Sequence, residues 1–136
     1  MSTEQRTLPD VDDSSRPSWH HDALQSVTKL VSLQNNWDGY RSPPIDPLAV
    51  CKSIALLDAI KNYEMPAPEV CPVSGGGIGI AWRLHNRELE IEILPDGSAE
   101  YLTVEGEEGQ KRTVEGSLPP NPTSAMQRVA TWLING

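Results

Sequence analysis

Two kinds of hydrophobic pattern divide the chain. In its second half, Ile78, Ile80, Trp82 and Leu84 alternate with Gly79, Ala81, Arg83 and His85, and Leu89, Ile91 and Ile93 alternate with Glu88, Glu90 and Glu92. Period two is the signature of a half-buried strand. The pattern predicts an antiparallel β-meander over Leu84–Val104, continued back to Ile78, with one apolar and one acidic face. A two-residue turn at Asn86-Arg87 sets Leu84 opposite Leu89, Trp82 opposite Ile91 and Ile80 opposite Ile93. Pro95-Asp96-Gly97-Ser98 is a hairpin signal and is expected to set Ile91 opposite Leu102 and Leu89 opposite Val104. On that register the acidic face carries Arg83, His85, Glu88, Glu90, Glu92, Tyr101, Thr103 and Glu105.

Elsewhere the period is helical. Ala23, Val27, Leu30, Val31 and Gln34 predict a helix from Trp19 to Gln34, with Ser18 as its cap. A second helix starts at Asp46 and Pro47, a capping carboxylate followed by a proline whose missing N–H costs nothing at that position. It is expected to run to about Tyr63 and to bury Val50, Cys51, Ile54, Ala55, Leu57 and Ile60. Met126, Val129, Ala130 and Leu133 predict a last helix over Thr123–Ile134. Val70–Val73 reads as a short edge strand, where Pro72 is tolerable, and Lys111–Glu115 as a candidate fourth strand. The fold expected is α+β: an antiparallel three- to four-stranded meander packed on one face by two N-terminal helices and a C-terminal helix. Residues 1–17 carry too few large aliphatic side chains to offset ordering entropy and read as a flexible tail, leaving 18–136 as a single domain.

Composition narrows the function classes. The 136-residue chain has a net charge of −8 and no Phe, so its Trp and Tyr residues must supply the aromatic core. Direct nucleic-acid binding needs clustered Lys and Arg to displace counterions, and there is no such cluster. Acidity points to solubility or to a partner with a basic surface. Without a secretory pattern or a membrane-length apolar run, a cytoplasmic location is expected. Cys51 and Cys71 have neither zinc-site nor redox-motif spacing and are expected to be buried free thiols.

Candidate chemistry is sparse. Glu88, Glu90 and Glu92 share a face at about 6.5–7 Å between neighbours. Paired carboxylates can act as acid and base or bind a hard cation, but a flat strand offers them no enclosure. Adjacent histidines in His20-His21-Asp22 point about 100° apart on a helix and cannot readily serve one metal. Ser74-Gly75-Gly76-Gly77 leads into a strand rather than into the helix N-terminus that a phosphate loop requires. No nucleophile elbow is present. These readings imply no enzyme, no metal and no cofactor.

The most specific string is Trp37-Asp38-Gly39-Tyr40. Two aromatics flank a tight turn ahead of Pro43-Pro44, and they either pack the corner between helices or serve as an exposed interface anchor. Asn36 to Tyr40, then Ser42 and Pro44, a helix, Pro66 and Pro68, Gly76-Gly77-Ile78 ending at Trp82, and Leu89 to Ile93 with Asp96-Gly97 together resemble a group of small uncharacterised bacterial and phage proteins. The resemblance covers about residues 33–103 and departs from the group at Arg41 and Gly75. It implies a shared domain and transfers no activity.

The expectation is therefore a small acidic accessory protein, inhibitor- or antitoxin-like, acting without catalysis by binding another protein. Trp37, Asp38, Tyr40, Glu88, Glu90, Glu92 and Tyr101 are the candidate contacts, and a homodimer is an open option. Mimicry of nucleic acid towards a nuclease or defence complex is an alternative, and a small hydrolase using Glu90 or Glu92 a second one.

Overall fold

The structure, a computed structural model, describes residues 18–136. The tail expected over residues 1–17 lies outside them. Helix α1 spans Ser18–Leu30 and α2 Pro47–Ala59; strands β1 (Glu69–Val73), β2 (Gly77–Leu84), β3 (Arg87–Ile93), β4 (Ala99–Glu105) and β5 (Arg112–Ser117) follow, and α3 is Thr123–Asn135. The strands form one antiparallel sheet in the order β1-β2-β3-β4-β5, so the expected three or four strands become five. The edge segments at Val70–Val73 and Lys111–Glu115 both belong to the sheet, each lengthened or shifted by one or two residues.

The core is a sandwich of helices on one sheet face. Ile78, Ile80 and Trp82 from β2 and Leu89, Ile91 and Ile93 from β3 are buried with Val27, Leu56, Leu57, Met126 and Leu133 from the three helices. Trp82 meets Trp19 edge-to-face at 6.2 Å, and the Trp19 indole N–H donates to the Tyr63 carbonyl at 2.8 Å. Each such aromatic offers a large apolar area, which offsets the missing Phe.

Helix α1 is shorter than its pattern. It includes Ser18, expected as the cap, and after Leu30 the chain tightens through Val31→Thr28, Ser32→Lys29 and Leu33→Leu30 main-chain bonds. Helix α2 starts as predicted, with the Asp46 carboxylate accepting from the Leu48 N–H at 2.9 Å. It ends at Ala59 rather than near Tyr63, and its buried stripe is shifted: Leu57 and Ile60 are buried as expected and Val50 partly so, Ala49, Ser53 and Leu56 join them, and Cys51, Ile54 and Ala55 are exposed. Ser53 occupies the middle of that stripe because its hydroxyl donates to the Ala49 carbonyl at 2.8 Å and needs no water. The two cysteines are free and exposed rather than buried.

Both hairpin registers depart from the expected ones. His85-Asn86 forms the first turn, with His85 in the left-handed region, so Trp82 pairs with Leu89, Ile80 with Ile91 and Ile78 with Ile93. That shift of two residues keeps every side chain on its expected face. The second hairpin slips by one residue: Ile93 pairs with Ala99, Ile91 with Tyr101 and Leu89 with Thr103. The cause is Pro95, which has no N–H with which to close a pair with Ser98. Closure moves back to Leu94, whose N–H donates to the Ser98 carbonyl at 2.8 Å, and Gly97 takes the left-handed position of a three-residue loop. The slip inverts β4. Tyr101, Thr103 and Glu105, all expected on the acidic face, lie on the helix side, and Leu102 and Val104 join the glutamates.

Candidate functional site

The sheet face turned away from the helices is concave. A cavity of about 640 Å³ runs across its middle. Its floor is made by the small residues Gly79 and Ala81 on β2. Cys71 and Val73 bound it on β1, Leu102 on β4 and Ser117 on β5. Glu69, Glu90, Glu92, Glu100 and Glu115 converge on it, and among the described residues no Lys or Arg lines it. The groove exists because β2 places its large apolar side chains on one face: Ile78, Ile80 and Trp82 point to the core, leaving Gly79 and Ala81 opposite, before Arg83 closes one end.

The carboxylates are unevenly compensated. Arg83, at one end, lies 3.8 Å from Glu69 and 3.6 Å from Glu88; the other such pair, Arg112 with Glu105 at 3.2 Å, lies on the helix side of the sheet. Exposed pairs of this kind contribute about 0–1 kcal/mol each. Farther along the groove, Glu92 stands directly opposite Glu100 across the β3–β4 pair, a like-charge juxtaposition that destabilises a sheet. Among the described residues no group of three or more His, Cys, Asp or Glu is arranged to hold a metal ion. Of the sequence candidates, Glu90 and Glu92 line this groove and Glu88 sits at its Arg83 end. Tyr101, expected on this face, has its side chain on the other one, because of the slip caused by Pro95. Glu69, Glu100 and Glu115 were not anticipated; they reach the groove from β1, β4 and β5, whose pairing the alternation in β2 and β3 does not reveal.

The second candidate, the Trp37–Pro44 loop, is a built structure. Asp38 is its hub. One carboxylate oxygen accepts from the Ser42 and Ser74 hydroxyls, each at 2.6 Å; the other accepts from the Tyr40 N–H at 2.8 Å and the Ser42 N–H at 3.3 Å. These donors, the Ser42 hydroxyl foremost and then that of Ser74, hold the Asp38 carboxyl well below the usual carboxylate range. Ser42 is buried, and its oxygen also accepts from the Gly75 N–H at 3.2 Å. The loop is thus riveted to the β1–β2 turn. Its ends are closed by the Asn36 side chain, which accepts from the Arg41 N–H at 2.7 Å, with Asn36 and Arg41 both in the left-handed region.

The two aromatics of this loop have different fates. Trp37 packs against the core and donates to the Pro43 carbonyl at 2.9 Å. Tyr40 projects into solvent, 85% exposed. Serines 42 and 74 were missed in the sequence, where only the Asp-x-x-x-Ser spacing hinted at the first of them.

The remaining motifs are structural. The His20 Nε2 contacts the Asp58 carboxylate at 2.8 Å and so ties α1 to α2. In the glycine run, a Cβ on Gly77 would lie 2.5 Å from the Ile93 carbonyl oxygen, so glycine is required for the close approach of β2 to β3. No helix of the described residues is long and apolar enough to cross a membrane. The chain matches no protein-family model, no curated protein and no solved structure.

Proposed function

We propose that this chain is a small, non-catalytic binding protein, inhibitor- or antitoxin-like, that receives a basic segment of another protein on its open sheet face. The observation that supports this reading is the groove itself: five carboxylates converge on a floor of glycine and alanine, and no cation of the described residues lines it. Such a surface is electrostatically unfinished. Placing glutamates opposite one another costs stability, and a Lys- or Arg-bearing partner relieves that cost on binding. The small floor residues leave room for a long side chain or an extended backbone. We place the protein in the cytoplasm, and its resemblance to small bacterial and phage proteins fits an accessory role there.

Mimicry of nucleic acid would use the same carboxylates, but Arg83 breaks their row between Glu69 and Glu88, which favours the peptide-like partner. A hydrolase would have to work from Glu90 and Glu92 on a broad, open face, where nothing excludes water around a reacting bond.

The test is comparative capture from the source cell with the wild-type protein and with a Glu90→Gln/Glu92→Gln/Glu100→Gln variant. The expected result is a partner retained at low salt by the wild type, released as salt rises, and absent from the variant. A partner held equally by both proteins, or none held by either, would defeat the proposal.

A further inference from the structure

The two edges of the sheet are finished differently. β1 contains Pro72, which lacks an N–H, and α1 packs beside it. Such devices keep an edge from pairing with another chain. β5 has no proline, and among the described residues no helix packs beside it. Residues 111–115 and 117 are exposed, and the apolar side chain of Val114 is 58% exposed.

The direction of the free main-chain groups follows from one bond. The Leu118 N–H donates to the Ala99 carbonyl at 2.8 Å. Antiparallel pairs alternate between bonded and non-bonded, so Arg112, Val114 and Gly116 turn their main-chain groups towards Glu105, Thr103 and Tyr101. Thr113, Glu115 and Ser117 turn theirs outwards.

We propose that β5 pairs antiparallel with β5 of a second copy of this chain, across a two-fold axis at Val114, joining two five-stranded sheets into one. The register is selected by the side chains. Residues opposite one another must share a face, so the axis falls on a residue rather than between two. An axis at Glu115 opposes two carboxylates, and one at Thr113 shortens the overlap. With the axis at Val114, the two exposed isopropyl groups meet at a close non-hydrogen-bonded pair. Thr113 then exchanges main-chain bonds with Glu115 of the second copy, and Lys111 pairs with Ser117 of the second copy. Lys111 also falls diagonal to Glu115 of the second copy, within reach of a long side chain. On the helix side, Arg112 lands opposite Gly116 of the second copy. A Cβ at Gly116 would lie 3.0 Å from the Tyr101 ring, so the ring lies against this glycine, beside the position that Arg112 of the second copy takes.

The two-fold axis is perpendicular to the sheet, so both acidic grooves open on the same side and the assembly is bivalent. The pairing does not depend on what the groove binds.

Sedimentation and light scattering over a concentration series of the full chain test the proposal. The wild type is expected to pass from monomer to dimer. Thr113→Pro removes an outward N–H and fixes φ at a position where an edge strand accepts proline, and Val114→Lys changes only an exposed side chain; each is expected to weaken the dimer at least about tenfold, with unchanged circular dichroism of the monomer for both and an unchanged melting temperature for Val114→Lys. In a Cys51→Ser/Cys71→Ser background, Val114→Cys is expected to form an intermolecular disulfide faster than Thr113→Cys or Glu115→Cys. A wild type that stays monomeric throughout, or a dimer indifferent to both edge variants, overturns the interface. Fastest cross-linking at residue 113 or 115 overturns the register.

Discussion

Asp38 shows how a single side chain converts a flexible stretch into a platform. Without it, residues 36–44 are a proline-rich connector; with four donors on its carboxylate they become a fixed loop that holds Tyr40 out in solvent. Its folded pKa lies below the ordinary 3.8, so the ionised form is the one the loop binds. The stabilisation is fully present above the unfolded value and is lost as pH falls below about 4 towards the folded value. Asp96, held down by the Ser98 hydroxyl and N–H, contributes in the same direction. Asp38→Asn is expected to lower the melting temperature at pH 7, and the gap between variant and wild type is expected to narrow as pH is taken from 5 to 3. Thermal melts across that range check it; a gap that stays constant would show that the carboxylate charge is not what the loop needs. Gly77→Ala belongs to the same scale. Its Cβ would press on the Ile93 carbonyl, and a displaced strand pair costs about 1–3 kcal/mol, measurable by urea denaturation. The Asn-Trp-Asp-Gly-Tyr string was legible as a turn with two aromatics, but not as a rivet, because Ser74 reaches Asp38 from 36 residues away.

At the scale of elements, what could be read was governed by how many signals agreed. β2 and β3 carry strict alternation, and even a misplaced turn left their faces right, since the error was two residues. β4 reads Ala-Glu-Tyr-Leu-Thr-Val-Glu, in which Leu and Val argue for one face and Ala and Tyr for the other. Only the missing N–H of Pro95 decides between them. In α2 the aliphatic arc shared only Leu57, Ile60 and part of Val50 with the true buried stripe, because Ser53 satisfies its own hydroxyl and passes as core. The C-terminal helix depends on a contact that no local pattern contains. Arg87, at the start of β3, donates to the Leu133 carbonyl at 3.0 Å and the Ile134 carbonyl at 3.4 Å and lies over the Trp132 ring at 5.9 Å. A cation there satisfies orphan carbonyls and opposes the negative end of the helix dipole. Arg87→Ala is expected to cost about 1–3 kcal/mol and to raise hydrogen exchange in α3 more than in β2. Uniform exchange across both elements would place the contribution of Arg87 elsewhere.

For the molecule as a whole, the net charge is −8, and five of its carboxylates converge on the groove, where they do the fold no favour. Sequence alone revealed that Glu88, Glu90 and Glu92 share a face. It did not reveal the groove, which requires Gly79 and Ala81 to lie between β1 and β3 and requires Glu100 and Glu115 to arrive from strands whose faces were ambiguous. Once assembled, Glu92 and Glu100 repel across the sheet. Removing one charge should therefore strengthen the folded state. Glu92→Gln keeps the shape and the hydrogen-bonding capacity and is expected to raise stability by about 0.2–1 kcal/mol, the size of an unfavourable cross-strand pair. The gain should be largest at low ionic strength and fade as salt shortens the range of repulsion to a few ångströms. Chemical denaturation of both proteins at two salt concentrations measures it. The same substitution should weaken capture of a basic partner, so stability and binding would move in opposite directions. That opposition separates a groove kept for recognition from a merely solvated face: on a solvated face, Glu92→Gln would stabilise the protein and change nothing else.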